Sequence, residues 1–282
     1  MDHARTAVRP LIADRREPGA IGRSARLELA FEVVGGRTRI AHAYAEPPLR
    51  VGRALSWGDG LHVILASSAP GLFEGDRIDQ RVTLAAGARV LFTSQSALQV
   101  HPSIGAGLAR VRGTFEVGAG ALLCCQWDPV IPFAGSRIDQ RFAIELGEGS
   151  RLCWGDGMMA GRVGRGECWR FRLFAHELRI ARNGRLEYLE RHRIAPEEQE
   201  MSARWTAGEA CYFGSTAASG WPAAEGLVEP LHQTWGADAP GAAVAIERLD
   251  AQFLLARFAC ASGPVFHEAR RAVFEACVRS AV

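Results

Sequence analysis

The sequence predicts a mainly β protein: a solenoid-like (β-helical) stack of short strands, with two α-helices in the C-terminal third. The main observation is a nine-residue pattern that occurs three times, at residues 82–90, 115–123 and 144–152. In every copy the first, third and ninth residues are apolar, and the sixth and seventh are a glycine and a small residue. The second observation is a change to helical spacing of apolar residues near the end of the chain.

The recurring block has a simple structural explanation. Two inward side chains, a tight turn that needs glycine and the start of another strand would produce it. The copies begin 33 and then 29 residues apart, and the pentapeptide Arg-Ile-Asp-Gln-Arg at 77–81 recurs at 137–141. Such quasi-periodicity predicts coils that stack like rungs, each burying its apolar face on its neighbours. An ordinary β-sandwich with similar hairpins is the alternative.

The chain before the repeats predicts a hairpin and then a further strand. Apolar and polar side chains alternate over Leu27–Val33, which indicates a half-buried strand, and Gly35-Gly36 predicts a turn after it. The return run 38–44 is followed by Pro47-Pro48, where strand pairing should stop because proline lacks the N–H that a central strand donates. Residues 61–66 are the next strand candidate.

The chain after the repeats predicts both helices. Residues 195–203 are polar and rich in glutamate, which is typical of a loop. Apolar residues at helical spacing predict helices at about 225–236 and about 264–280. Two short strands are expected between them, within 243–259.

We expect a flexible N-terminal tail at residues 1–21 and a single β domain, with both helices, at residues 22–282. The tail mixes arginines with acids and has no apolar stretch of the secretory type. The seven cysteines are an odd number and contain no CxxC pair, unlike a disulfide framework or a structural zinc site. A reducing, cytoplasmic compartment fits this pattern best.

Charge and composition exclude several functions. With 33 basic and 31 acidic residues the net charge is only +2, so we expect neither nucleic acid nor a membrane surface as a partner. All the basic residues are arginine, which excludes chemistry that depends on a Schiff-base lysine or a P-loop lysine. The eight histidines show no metal-binding spacing, and no nucleophile elbow or dinucleotide fingerprint is present.

The acids on glycine-rich turns are the candidate functional residues. Asp76 ends a turn that also contains Glu74, Asp156 lies in a glycine-flanked segment, and Glu167 closes another glycine-rich turn. Such acids are most often turn formers or partners of arginine. Alternatively, they line an internal passage and hold a divalent cation loosely, with water completing its shell.

Several segments together resemble a known family. They are Gly22–Phe31, Gly35–Thr38, Pro48–Val51, His62–Leu65, Gly75-Asp76, Thr93–Ala97, Gly161-Arg162, Gly166-Glu167 and Leu189–Arg191. Their order and spacing are similar to those of the urease accessory proteins of the UreD (UreH) family, over roughly residues 22–278. The chain departs from the family at Glu74, where a glycine is usual, and at Gln99, in the region where a lysine is common.

The resemblance implies a cytoplasmic, non-catalytic scaffold for urease maturation. Its partners would be the urease apoprotein, UreF and, through UreF, UreG, together with a second copy of the chain as a homodimer within the accessory complex. The family has no tightly bound cofactor; nickel is thought to pass in transit through an internal tunnel. By motif position the acids implicated in that passage fall on Asp76, Asp156 and Glu167, and Glu74 is a weaker candidate.

Three other functions remain open from the sequence. One is a β-solenoid enzyme that acts on a sugar or acyl substrate, which would require a dense site in an external groove. Another is a divergent paralogue that serves a different metalloenzyme. The third is a structural interaction module without a metal path, whose interior would be blocked or apolar.

Overall fold

A computed structural model of the chain describes residues 22–203, 206–221, 224–235 and 241–279. The tail predicted at residues 1–21 lies outside the described residues. The strands are β1 Ser24–Val34, β2 Arg37–Ala45, β3 Leu49–Val51, β4 Leu55–Trp57, β5 Gly60–Ser67, β6 Arg77–Leu84, β7 Arg89–Ser94, β8 Gln99–Val100, β9 Ala109–Val117, β10 Leu122–Gln126, β11 Ile131–Pro132, β12 Arg137–Leu146, β13 Arg151–Met159, β14 Leu173–Arg182, β15 Arg185–Ile194, β16 Tyr212–Ser219, β17 Ala242–Asp250 and β18 Phe253–Cys260. The α-helices are α1 Ala224–Trp235 and α2 Gly263–Arg279.

Two large sheets form the walls of a solenoid of about four turns, as the repeats predict. The first sheet has the strand order β15-β14-β12-β9-β6-β1-β2, and the second has the order β17-β18-β16-β13-β10-β7-β5-β3. In the centre of each sheet, neighbouring strands are parallel. A sandwich made of hairpins would have antiparallel neighbours instead, so the alternative to the solenoid is wrong.

Each nine-residue block is the corner at which the chain crosses from the first sheet to the second. The glycine at its sixth place has a positive φ, between 62° and 71° in Gly87, Gly120 and Gly149, a backbone conformation that other residues rarely adopt. The small residue that follows, Ala88 in the first copy and Ala121 in the second, is fully buried at the corner. The nine-residue pattern recurs because each corner needs a residue with positive φ and, after it, a side chain small enough to be buried.

Antiparallel strands close both ends of the stack. Strands β1 and β2 form the predicted hairpin around Gly35 and Gly36, and β2 ends at Ala45, before the two prolines. At the other end β15 pairs antiparallel with β14, while β16 and β18 extend the second sheet. The two strands predicted within 243–259 are β17 and β18.

The main core lies between the two sheets. Inward positions alternate along each strand, so that aromatic and branched side chains from both walls meet, as in the edge-to-face contact of Phe115 with Trp154 at 5.0 Å. Removing this apolar surface from water is the principal source of stability, at about 25 cal/mol per Å².

A second core lies on the outer face of the second sheet, beneath the helices. Helix α2 rests there on a flat patch formed by Gly157 and Gly214, which are cross-strand partners. A Cβ atom at either glycine would lie about 3.0 to 3.1 Å from the Phe266 ring of α2.

Neither of the two α-helices in the described residues has the length and hydropathy of a membrane span.

Candidate functional site: carboxylates and imidazoles between the sheets

A cavity of about 760 Å³ lies between the two sheets. Its lining residues come from successive coils, from Leu65 on β5 near one end of the stack to Arg257 on β18 near the other. Most of them are apolar, such as Val111 and Phe142. One stretch of the wall is ionisable and consists of Asp128, Asp156, His176, Glu190 and His192, hereafter the polar cluster.

Strand register assembles the polar cluster. His176 on β14 and His192 on β15 are cross-strand partners in the first sheet, with ring centroids 6.1 Å apart. Asp156 on β13 and Ser215 on β16 are cross-strand partners in the second sheet. Because these rows face each other across the cavity, residues far apart in sequence become neighbours.

Asp156 on the second sheet contacts both its own strand and the facing sheet. Its Oδ2 accepts a hydrogen bond from Trp154 Nε1 at 2.9 Å and lies 3.3 Å from Nε2 of His176. The approach of His176 is close enough for an ion pair but does not have hydrogen-bond geometry, so this buried nitrogen has no hydrogen-bond partner. His176 is only 7% exposed, and it faces the Asp156 carboxylate without being fixed by it.

Glu190 stands on the opposite wall and is 6% exposed. It accepts hydrogen bonds from Ser215 Oγ at 2.9 Å and from His192 Nε2, 2.8 Å away. Burial alone would raise the pKa of this carboxyl, but the hydrogen bond and charge of His192, together with Ser215 and His176, outweigh burial and hold the pKa below its usual value. Glu190 is therefore an anion at neutral pH.

The pKa of His192 is shifted upward. The hydrogen bond to Glu190 raises this pKa most, burial lowers it, and the negative charges of Glu190 and Asp156 raise it further. The side chain is about half exposed. The pair therefore joins a buried anion to a titratable group that reaches solvent.

Two arginines reduce the negative charge at this end of the cavity. Arg257 lines the wall, and Arg270 of α2 is buried beside it without lining the cavity, with its Nη2 donating to the Trp127 carbonyl at 2.9 Å. Burial lowers the pKa of the Arg270 guanidinium, and the carboxylates of Asp156 and Asp128 oppose that change. The cluster thus has three carboxylates near two guanidinium groups, so its net charge is only weakly negative.

No group of three or more histidine, cysteine, aspartate or glutamate side chains in the described parts of the chain is arranged to hold a metal ion. A cation in the cavity would have to take one or two protein ligands and keep water in its remaining positions.

The sequence-predicted acids fall in three different places. Asp156 belongs to the polar cluster. Asp76 and Glu74 line a second cavity of about 510 Å³, which shares lining residues with the first at Ala69–Leu72 and Ile78. Glu167 is a lining residue of neither cavity.

The contacts of Asp76 and Glu74 are mainly with backbone N–H groups. The two oxygens of Asp76 accept from Arg23 N at 2.8 Å and from Phe73 N at 2.9 Å. Glu74 accepts from the N–H groups of Ile104, Gly105 and Gly107 at 2.7 to 2.9 Å. The Gly105 bond contributes most to lowering the pKa of Glu74, so this carboxyl stays charged. Both acids therefore organise loops at this end of the solenoid.

Glu167 is the partner of an arginine. It forms a two-pronged ion pair with Arg162, whose guanidinium also lies 4.1 Å from the centroid of the Phe133 ring. The Arg162 hydrogen bond lowers the pKa of Glu167 more than any other interaction does. The metal role predicted for the four acids remains a prediction.

Sequence reasoning missed His176, Glu190, His192 and Asp128. A signal was present, because inward positions of β14 are apolar at Phe174, Leu178 and Ile180 but not at His176. A polar residue at an inward position of a strand has to be satisfied inside the protein, which makes it a candidate site residue. Glu190 breaks the inward row of β15 in the same way.

The fold and the cavity define a β-solenoid protein with ionisable groups held between its sheets. The family model that matches the chain is that of the UreD urease accessory protein, over residues 23–282. The chain belongs to this UreD family, and its role is in urease maturation.

Individual relatives agree with this assignment. The urease accessory protein UreD of Sorangium cellulosum (strain So ce56) is 34% identical over 213 residues, which cover 74% of this chain and 67% of the relative. UreD of Lysinibacillus sphaericus (strain C3-41) is 32% identical over 202 residues, 70% of this chain and 75% of the relative. UreD of Deinococcus radiodurans is 32% identical over 260 residues, 90% and 89% of the two chains.

Proposed function

We propose that this protein is a non-catalytic, cytoplasmic maturation factor that binds apo-urease and UreF, reaches UreG through UreF, and conducts nickel between its two sheets to the urease active site. The observation that carries the nickel path is the polar cluster, in which Asp156 and Glu190 approach the same cavity from opposite walls. Family membership supports the urease partner.

The ligand atoms of the polar cluster suit transient binding of a cation. Imidazole nitrogen and carboxylate oxygen both bind Ni²⁺. Thiolates, which hold softer metal ions firmly, are absent from the polar cluster. Glu190 is charged at neutral pH, and His176 presents a buried nitrogen without a hydrogen-bond partner. A nickel ion at this point would take one or two protein ligands at a time and keep water in its other positions.

The weakly negative charge of the polar cluster also favours transient binding. Arg257 and Arg270 offset much of the charge of the three carboxylates, which limits how tightly a divalent cation is held. Asp76 and Glu74, in the adjoining cavity, extend the acidic path toward the start of β1. Glu167 would contribute only if Arg162 released it.

The position of the polar cluster also discriminates between functions. Asp156, His176 and Glu190 are buried between the sheets, and His192 reaches solvent, which favours conduction over an enzyme that acts on a sugar or acyl substrate in an external groove. The cavity wall is not wholly apolar either, as a purely structural interaction module would require.

The test is nickel-limited activation of urease. The chain is co-expressed with the urease subunits and the other accessory proteins, and urease activity and nickel content are measured for wild type, Asp156→Asn, Glu190→Gln and the double variant. Both substitutions keep side-chain volume and remove charge. We expect activation at limiting nickel to fall by about tenfold in the double variant, equivalent to about 1.4 kcal/mol, while the variant still co-purifies with its partners.

Glu198→Gln is the matched control, because Glu198 pairs with Arg193 on the exposed surface and touches neither cavity. It should leave activation unchanged. If deleting the chain leaves urease activation at limiting nickel unaffected, the proposal fails, and a role with another metalloenzyme becomes the better account. If deletion abolishes activation but the double variant retains it fully, docking remains and conduction through this cluster is excluded.

A further inference from the structure

Two cysteines that are 43 residues apart meet at one place on the protein. The Sγ atoms of Cys168 and Cys211 are 3.7 Å apart. Cys168 lies in the segment between β13 and β14, and Cys211 ends the segment between β15 and β16. The contact lies just beyond the end of the β13–β16 ladder, where the Ala160 N–H still donates to the Cys211 carbonyl at 2.7 Å.

These cysteines differ from the other five. Both are partly exposed, whereas Cys124, Cys125, Cys153, Cys260 and Cys277 are buried. Burial keeps the Cys124 and Cys125 thiols away from solvent and raises their pKa far above the usual value. Among the seven cysteines, all of which lie in the described residues, the contacting pair is the one that oxidants in solution can reach.

We propose that Cys168 and Cys211 form a reversible disulfide when the protein meets a peroxide. The thiolate of one cysteine attacks hydrogen peroxide, giving a sulfenic acid and releasing hydroxide, which takes up a proton to become water. The second thiol then attacks the sulfenic sulfur, the S–S bond forms and a second water leaves. The two thiols lose two electrons and two protons in total, and the peroxide is reduced to two waters.

The geometry requires only a small movement. The sulfurs must approach from 3.7 Å to about 2.05 Å. The backbone of Cys211 is held by hydrogen bonds with Cys260 and Ala160, so the movement falls mainly on the turn that carries Cys168. The pKa of Cys211 is raised to about 11, first by burial and then by its hydrogen bond with Cys168 and the charge of that sulfur. Because Cys211 keeps its proton at neutral pH, disulfide formation should accelerate as the pH rises.

The disulfide would reinforce one wall of the cavity. Trp169, next to Cys168, packs on Phe213, two residues after Cys211, with ring centroids 5.5 Å apart. Phe213 and Thr206 line the cavity. Oxidation would therefore fasten two segments that border the interior, and reduction would release them.

The experiment is peptide mapping of the full-length chain. Reduced protein is treated with hydrogen peroxide, remaining thiols are alkylated under denaturing conditions, and trypsin is added without reductant. Because the chain has no lysine, trypsin cuts only after arginine and places Cys168 in peptide 166–170 and Cys211 in peptide 205–248, each as the single cysteine. We expect one linked peptide whose mass is the sum of the two minus two hydrogen atoms, and dithiothreitol should abolish it.

Cys168→Ser and Cys211→Ser should each remove the linked peptide. Hydrogen exchange of wild type should slow in segments 160–172 and 195–203 on oxidation and recover on reduction, which tests the pair without any substitution. The proposal is overturned if peroxide oxidises the two cysteines separately, links either to a buried cysteine, or leaves both free. The assay needs neither nickel nor urease, so its outcome is independent of the proposed function.

Discussion

The hydroxyl of Ser215 donates to the carboxylate of Glu190 over 2.9 Å and thereby joins the second sheet to the first inside the solenoid. Around this bond, Asp156 lies beside Ser215 in register and His192 lies beside Glu190 on the same strand. The bond is thus both a structural tie between the walls and the centre of the proposed nickel path.

Replacing Glu190 by Gln should therefore lower stability as well as nickel conduction. The amide keeps the size of the side chain but loses the charge that strengthens the bonds from Ser215 and His192. We expect the free energy of unfolding in urea to fall by about 2 kcal/mol. The control Glu177→Gln removes an ion pair with the exposed Arg191 and should change it by about 0.5 kcal/mol or less. Equal losses in the two variants would contradict the buried role of Glu190.

The His192–Glu190 pair predicts a pH dependence. The folded-state pKa of His192 is raised, so its contribution is fully present below the unfolded pKa of 6.5 and is lost as the pH rises through the folded value. The pKa of Glu190 is lowered, so its contribution is present above the unfolded value of 4.5 and is lost as the pH falls through the folded value. The pair is therefore most stabilising between these two unfolded values.

The measurement is the difference in unfolding free energy between wild type and His192→Gln. It should be larger at about pH 6 than at about pH 9, because the imidazolium in the folded protein is lost at the higher pH. A difference that is constant or grows with pH would show that the neutral imidazole provides the stabilisation.

We expect the main role of Asp76 to be stabilisation of the fold. Its carboxylate accepts the N–H groups of Arg23 and Phe73, which ties the start of β1 to the turn before β6. Asp76→Ala should lower the free energy of unfolding by about 1 to 2 kcal/mol and accelerate hydrogen exchange at Arg23. Glu116→Gln, at an exposed pair with Arg81, is the control. Unchanged exchange would leave metal contact as the main role of Asp76.

The flat patch under α2 predicts a large effect of a single methyl group. In Gly214→Ala the new Cβ would lie 2.5 Å from the Asp156 carbonyl oxygen and 3.1 Å from the Phe266 ring. The thermal unfolding temperature should fall, corresponding to about 2 kcal/mol. Gly226→Ala, in α1, meets no atom within 4 Å and should instead stabilise the protein by up to about 1 kcal/mol. An unchanged unfolding temperature in Gly214→Ala would contradict close packing of α2 on this patch.

The solenoid could be predicted because its corners repeat in sequence. A positive φ at Gly87, Gly120 and Gly149 and a buried small residue after each are local requirements, so they leave a visible pattern. Both helices follow from apolar spacing and agree with the structure to within one residue at their starts. The antiparallel closure by β14 and β15 has no repeat to reveal it.

The site was predicted only in part, for a related reason. Asp156 was identified as an acid in a glycine-flanked segment, the family resemblance pointed to the same residue, and it belongs to the polar cluster. Its neighbours His176 and Glu190 are brought close by strand register and by the packing of one sheet on the other. No local sequence pattern predicts either arrangement. Glu167 shows the converse, because its glycine-rich turn resembles a site but its carboxylate is engaged by Arg162 five residues earlier.

The position of nickel inside the protein tests the central claim most directly. Crystals of the full chain soaked in a nickel salt would be measured on both sides of the nickel absorption edge, and the anomalous difference density would be compared between wild type and the Asp156→Asn/Glu190→Gln variant. We predict a peak between the sheets, within coordination distance of Asp156, His176 or Glu190, that disappears in the variant. Density only at histidines on the outer surface, or a cavity peak that persists in the variant, would contradict conduction through this cluster.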